Sequence, residues 1–181
     1  DENRYVEMAR GIIHQGLDSG ALFVLECYDR KYGLFYGAEM VIGLYYRLRR
    51  YADLIRFFKE CCYRNRAIFD DNKALSTTLE GLGATDNLPP AQTLVKPAEP
   101  LQLSTTAFLF FASSALLTRD FETARMVADM VLATPDSHYE NLDLYERITL
   151  KGIISIMHEI KNYADNPSTI PDNPDFDPIE N

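Results

Sequence analysis

The chain has 181 residues, 46% of them hydrophobic and 25% charged, an ordinary soluble globular composition at a length that predicts one compact or solenoid unit. Its formal charge of −9 argues against a general nucleic-acid binder, because neutralising phosphates needs a net basic surface. No apolar run approaches the ~20 residues of a membrane-spanning helix and no signal peptide opens the chain, so we expect an intracellular protein, nuclear or cytoplasmic.

In chain order, Tyr5, Met8, Ala9, Ile12 and Ile13 recur at the three- and four-residue spacing of a helix over Arg4 to Leu17. Asp18-Ser19-Gly20 then forms a turn and opens a second helix, Ala21 to Lys31, which Gly33 breaks. A third helix runs from about Leu34 to Leu48, turns at Arg49-Arg50, and a fourth follows from Tyr51 to about Phe69. From 76 to 103 the periodicity dissolves: Gly81, Gly83, Pro89, Pro90, Pro97 and Pro100 forbid a long regular element. We read this as an insertion, with a short helical start around Lys73 to Leu79. Helical pattern resumes over Thr105 to Leu117, turns at Thr118-Arg119-Asp120, and continues from Phe121 to Leu132 and from about Asn141 to Tyr163. Beyond it Pro167, Pro171, Pro174 and Pro178 stand among acids with no apolar period, the composition of a disordered tail. The expectation is an all-α chain of about seven helices, one helical domain over 1–164 and a tail over 165–181.

The three cysteines, Cys27, Cys61 and Cys62, make neither a disulfide framework nor a zinc-spaced set. They sit in apolar helical surroundings, where a thiol behaves as a small hydrophobe. The chain opens without methionine, so a fragment or processed product of a longer array is expected.

Two helix–turn–helix segments share a layout. Gly43 precedes Tyr46, Tyr51, Leu54, Phe58 and Cys61; Ala112 precedes Ala115, Phe121, Ala124, Ala128 and Val131, with Pro135 just past the end. Small residues at Gly43, Ala112 and Ala124 would let helix backbones approach, while the aromatic residues fill the space between pairs. This layout resembles the tetratricopeptide repeat (TPR), a helix–turn–helix unit that stacks into an α-solenoid of antiparallel helical hairpins. The turn before Tyr51 reads one residue short of the family pattern, and Leu54 and Cys61 stand where the family prefers alanine. A third copy covers Ala9 to Tyr28, with Ala21 at the small position. The stretch Gln15-Gly16-Leu17-Asp18-Ser19-Gly20-Ala21, followed by Tyr45-Tyr46-Arg47-Leu48-Arg49-Arg50-Tyr51, is further similar to the TPR subunits of the anaphase-promoting complex, with the subunit-seven branch nearest. That resemblance implies a homodimeric scaffold within a cell-cycle ubiquitin-ligase assembly.

Chemistry-bearing patterns are few. His14, His138 and His158 lie far apart, Gly81-Leu82-Gly83 lacks the strand and later glycine of a phosphate loop, and neither a nucleophile elbow nor a cysteine–histidine motif appears. We therefore expect no enzyme, no catalytic residue, no cofactor, no metal and no small-molecule substrate. The charge is uneven, however. Residues 47–66 carry seven bases against Asp53 and Glu60, and residues 165–181 carry five acids and no base. Arg47, Arg49, Arg50 and Arg56 would form either a solvated helix face whose stems cover aromatic edges or a dock for an acidic segment, for which the tail is one occupant.

A TPR groove is lined by the first helix of each pair, which by the resemblance selects Met40, Leu44, Arg47 and Leu48, then Leu109, Ser113, Leu116 and Leu117. These are mainly apolar, and only Arg47 suits the carboxylate clamp of the chaperone-binding branch. They serve either as an apolar groove or as packing between pairs. Self-association through the first helices, with Leu22 and Leu25 as candidates, follows from an end with little polar capping. The expected function is a non-catalytic protein–protein interaction scaffold whose partners are other protein subunits, including a second copy, with neither nucleic acid nor membrane. The alternatives are a peptide-binding TPR adaptor in transport or mitochondrial assembly, and a helical enzyme domain whose site lies in the 76–103 loop.

Overall fold

The structure, a computed structural model, describes residues 3–32, 38–64, 104–134 and 142–178. The expected insertion at 76–103 and the helical start at 73–79 lie outside these residues. Among the described residues the chain is all-α, with seven α-helices, one 3-10 turn and no strand. The helices are α1 (Asn3–His14), α2 (Asp18–Tyr32), α3 (Ala38–Arg47), α4 (Tyr51–Arg64), α5 (Thr105–Leu117), α6 (Phe121–Leu132) and α7 (Leu144–Asp165). The chain divides into two compact units, Asp1–Leu103 and Ser104–Asn181.

In the first unit α1 packs on α2, α2 on α3, and α3 on α4. Each helix contributes one apolar stripe. On α2 it is Ala21, Leu22, Leu25 and Tyr28, and on α4 Leu54, Ile55, Phe57 and Phe58, all buried at the spacing of one helical face. The α1 stripe is centred on Val6 and Ala9, which leaves Met8 facing solvent. Ring pairs join the elements: Tyr5 meets Tyr28 at 5.5 Å, Tyr45 meets Phe57 at 6.1 Å and Tyr46 meets Tyr51 at 5.7 Å between centroids.

The second unit is built on α5, which packs against both α6 and α7, while α6 and α7 also pack together. Eight of the thirteen α5 residues are buried, including the unbroken run Phe111–Leu116, as expected of a helix covered on more than one side. Its Ser113 hydroxyl is satisfied by donating to the Leu109 carbonyl at 2.7 Å. Three polar residues start the helices of this unit. Ser104 accepts from the Ala107 amide and Asp120 from the Thr123 amide, and Asp143 and Glu146 exchange hydrogen bonds as a capping box.

Three of the turns are alike in detail. Gly16, Arg49 and Arg119 have φ of 73°, 56° and 63°, the left-handed conformation in which a helix ends as a Schellman motif. The bonds match: Leu17 N to Ile12 O and Gly16 N to Ile13 O; Arg50 N to Tyr45 O and Arg49 N to Tyr46 O; Asp120 N to Ala115 O and Arg119 N to Leu116 O. Each following residue's carbonyl accepts from the amide four residues on, at Ala21, Leu54 and Ala124. Counted from the left-handed residue, the positions seven before (Ala9, Ile42, Ala112), five after (Ala21, Leu54, Ala124) and nine after (Leu25, Phe58, Ala128) are all at most 1% exposed.

This register corrects the sequence alignment. The turn before Tyr51 is as long as the turn before Phe121, and Ile42, not Gly43, is the counterpart of Ala112. Gly43 is half-buried, and a Cβ there would meet nothing within 4 Å, so it is no point of close helix approach.

Residues 166–178, whose composition suggests a disordered tail, have a specific local arrangement. A 3-10 turn at Pro167–Thr169 follows α7, Phe176 is buried, and Pro178 lies directly against Gly152 of α7. Asp165 pairs with Arg125 of α6 at 2.7 Å.

Candidate functional site

The arginines singled out in the sequence meet at the junction of α2, α3 and α4. The Schellman turn delivers Arg50 to the start of α4 beside Tyr45, in the last turn of α3. Tyr45 is buried and its hydroxyl donates to Glu26 Oε1 of α2 at 2.9 Å. The Arg50 guanidinium lies 5.1 Å from the centre of the Tyr45 ring, donates from Nε to Asp53 Oδ2 at 2.8 Å, and approaches Glu26 Oε1 at 3.9 Å. Arg56 takes the other Asp53 oxygen at 2.8 Å. Arg47 reaches back to α2 with a two-point contact on Asp18, Nε to Oδ2 at 3.0 Å and Nη2 to Oδ1 at 3.2 Å.

Three of the four arginines are therefore matched by Asp18, Glu26 and Asp53. The fourth, Arg49, is exposed and holds the left-handed turn position. Exposed ion pairs of this kind contribute about 0–1 kcal/mol each, and a guanidinium over a ring about 0.5–1 kcal/mol, so the network orients α2, α3 and α4 more than it stabilises them. As a dock for an acidic segment it is already largely neutralised. The tail's first acid, Asp165, is itself committed to Arg125.

Burial raises the Tyr45 phenol well above the ordinary tyrosine range, and the hydrogen bond to Glu26 raises it further. Arg50 is held in its charged form chiefly by the hydrogen bond to Asp53. A pH dependence follows. An unfolded tyrosine ionises near about 10, so the unfolded chain sheds a proton above that pH that folded Tyr45 retains. The Tyr45 contribution is therefore complete below about pH 10 and is lost as pH rises beyond it. Denaturation midpoints between pH 9 and 11.5 should fall more steeply for the unaltered chain than for Tyr45→Phe, and phenolate absorbance should lose a late-titrating component in that variant.

The other candidates are mostly buried. Leu44 is fully buried and Met40 half-buried. Leu109, Ser113 and Leu116 are likewise buried, and only Leu117, at 37%, faces solvent. These residues pack the helices and leave little of the expected groove. Leu22 and Leu25, the self-association candidates, are 1% and 0% exposed; they belong to the α2 stripe that α1 and α3 cover. Among the described residues of this unit, the large apolar side chains that do reach solvent are Met8, Leu17 and Phe23, at 58%, 56% and 62%. Sequence reasoning missed Phe23 because residues 21–25 form a continuous apolar run. The spacing of Ala21, Leu22, Leu25 and Tyr28 already leaves Phe23 on the opposite face.

Among the described residues no three His, Cys, Asp or Glu side chains are grouped as a metal site, and no helix is long and apolar enough to cross a membrane. His14 and His158 are exposed, His138 and the side chains of Cys61 and Cys62 lie outside the described residues, and Cys27 is half-buried on α2. Comparison with protein-family models, curated proteins and solved structures finds no match to this chain, so the functional reading rests on its own residues.

Proposed function

We propose that the chain is a TPR-like α-solenoid scaffold of antiparallel helical hairpins that binds other proteins, itself included, and catalyses nothing. The observation that carries this reading is the threefold recurrence of one turn. The left-handed residues at 16 and 49 are 33 residues apart, and 119 follows 49 by 70, about twice the period of a 34-residue repeat. The same offsets from each turn are fully buried, as stacked units of one kind require, because a single helix pair cannot cover both its apolar faces. The resemblance to subunits of the anaphase-promoting complex extends the reading to a self-associating subunit of a cell-cycle ubiquitin ligase.

Self-association belongs to the exposed face of α1 and α2, with Met8 and Phe23 as its anchors. Multi-angle light scattering at micromolar concentration should report a dimer. Phe23→Asp or Met8→Asp should convert it to a monomer with a thermal midpoint close to that of the isolated subunit, since exposed substitutions usually change stability by less than about 0.5 kcal/mol. A monomer at every concentration would refute the self-association.

A further inference from the structure

We propose that the α7 face running from Gly152 towards Leu144 is a docking track for an extended, acidic, aromatic-bearing segment of a partner protein, and that residues 166–178 occupy one end of it in cis. Pro178 rests on α7 where only glycine fits: a Cβ at Gly152 would lie 2.7 Å from the Pro178 carbonyl carbon and 2.9 Å from its Cα, and closer still to the carbonyl oxygen. Gly152 is itself buried, so the helix carries a notch shaped for main chain. Within 166–178, Phe176 is the one buried side chain; the Asn166 amide donates to the Asn162 carbonyl of α7, and Thr169 to Asn166, Ile170 to Pro167 and Asp177 to Asp175 bond within the segment.

The track continues past the notch. Leu144 and Ile148 precede Gly152 by eight and four residues, placing them on the same helix face, and with Tyr145 they are 76%, 51% and 64% exposed. Arg147 and Lys151 stand exposed beside this row. An apolar row flanked by bases complements a segment with the chemistry of Asp175-Phe176-Asp177-Pro178. The chemistry of the occupant follows from the segment whose Pro178 rests in the notch: one aromatic for burial and proline for an extended backbone with little ordering cost, with acids to complement the bases beside the row. A partner segment that also covers Ile148 and Leu144 makes contacts that 166–178 leaves unmade, and so competes for the notch.

The inference rests on the scaffold reading and gives it a partner chemistry. The probe is a fluorescent peptide of residues 166–181, and the receptors are the full chain and its Phe176→Ala variant. The apparent affinity scales with the fraction of receptor whose track is open, so the peptide should bind Phe176→Ala at least about tenfold more tightly than the unaltered chain. A peptide with alanine in place of Phe176 should not bind, and adding Lys151→Glu to the receptor should weaken binding. Equal binding to both receptors, or none to a Phe176→Ala chain of undiminished helicity, would overturn the proposal. Should Phe176→Ala fail to fold, hydrogen exchange on Gly152→Ala decides: faster exchange confined to 170–178 supports an exchangeable segment, and faster exchange throughout α5 to α7 refutes it. Light scattering on the same samples reads self-association separately, so the track can fail while the scaffold reading stands.

Discussion

Leu25→Asp is expected to unfold the first unit, not to separate a dimer into folded monomers. Leu25 has no solvent exposure and sits between Ala21, Leu22 and Tyr28 on the stripe that joins α2 to its neighbours. Removing a buried leucine costs about 2–5 kcal/mol through lost transfer energy and residual cavity. A carboxylate in that position must then either stay protonated or lie charged in an apolar setting, which adds further kilocalories. Against a total stability of about 5–15 kcal/mol for a domain, this removes most of the margin. Circular dichroism with urea should show lost helix at concentrations where Phe23→Asp retains it. A folded, cooperative Leu25→Asp chain would mean that the α1–α2 packing described above is wrong.

The second large effect is expected at Phe111, which is fully buried in α5 and meets the Phe108 ring edge-on at 6.2 Å. Phe111→Ala should destabilise the second unit by about 3–5 kcal/mol, because α5 is enclosed by both α6 and α7 and its cavity cannot close without moving both. Leu117→Ala, at a position 37% exposed on the same helix, should cost well under half as much. Hydrogen exchange across α5 to α7 measures the difference. Similar costs at the two sites would contradict the enclosure of α5.

The helices most legible in the sequence were those with unambiguous start and stop signals. The reading of Thr105–Leu117 and Phe121–Leu132 coincides with α5 and α6, because Ser104 and Asp120 cap them and the left-handed turn at Arg119 ends α5. Helix α2 begins three residues before the Ala21 start that the apolar pattern predicts, because Asp18-Ser19-Gly20, a loop-like composition, forms its first turn. The one-residue slip between the two aligned pairs came from anchoring on Gly43, whose smallness suggests close packing that the neighbouring helices do not impose.

Other features were closed to local reading. The run of bases from 47 is dense, yet Asp18 and Glu26, which answer Arg47, Tyr45 and Arg50, lie on α2, some 19 to 29 residues earlier in the chain. The acidic, proline-rich composition of 166–178 has no periodicity; the notch at Gly152 and the burial of Phe176 are tertiary features that give that segment a place.

What the sequence determined by itself is the helical character of the chain and the punctuation between α3 and α4 and between α5 and α6, because apolar spacing, caps and turn residues act within a few residues of one another. Which face of each helix is buried, which arginine meets which acid, and where the C-terminal segment rests were decided only by tertiary packing. Those outcomes depend on side chains brought together from distant positions, and local periodicity carries no record of them.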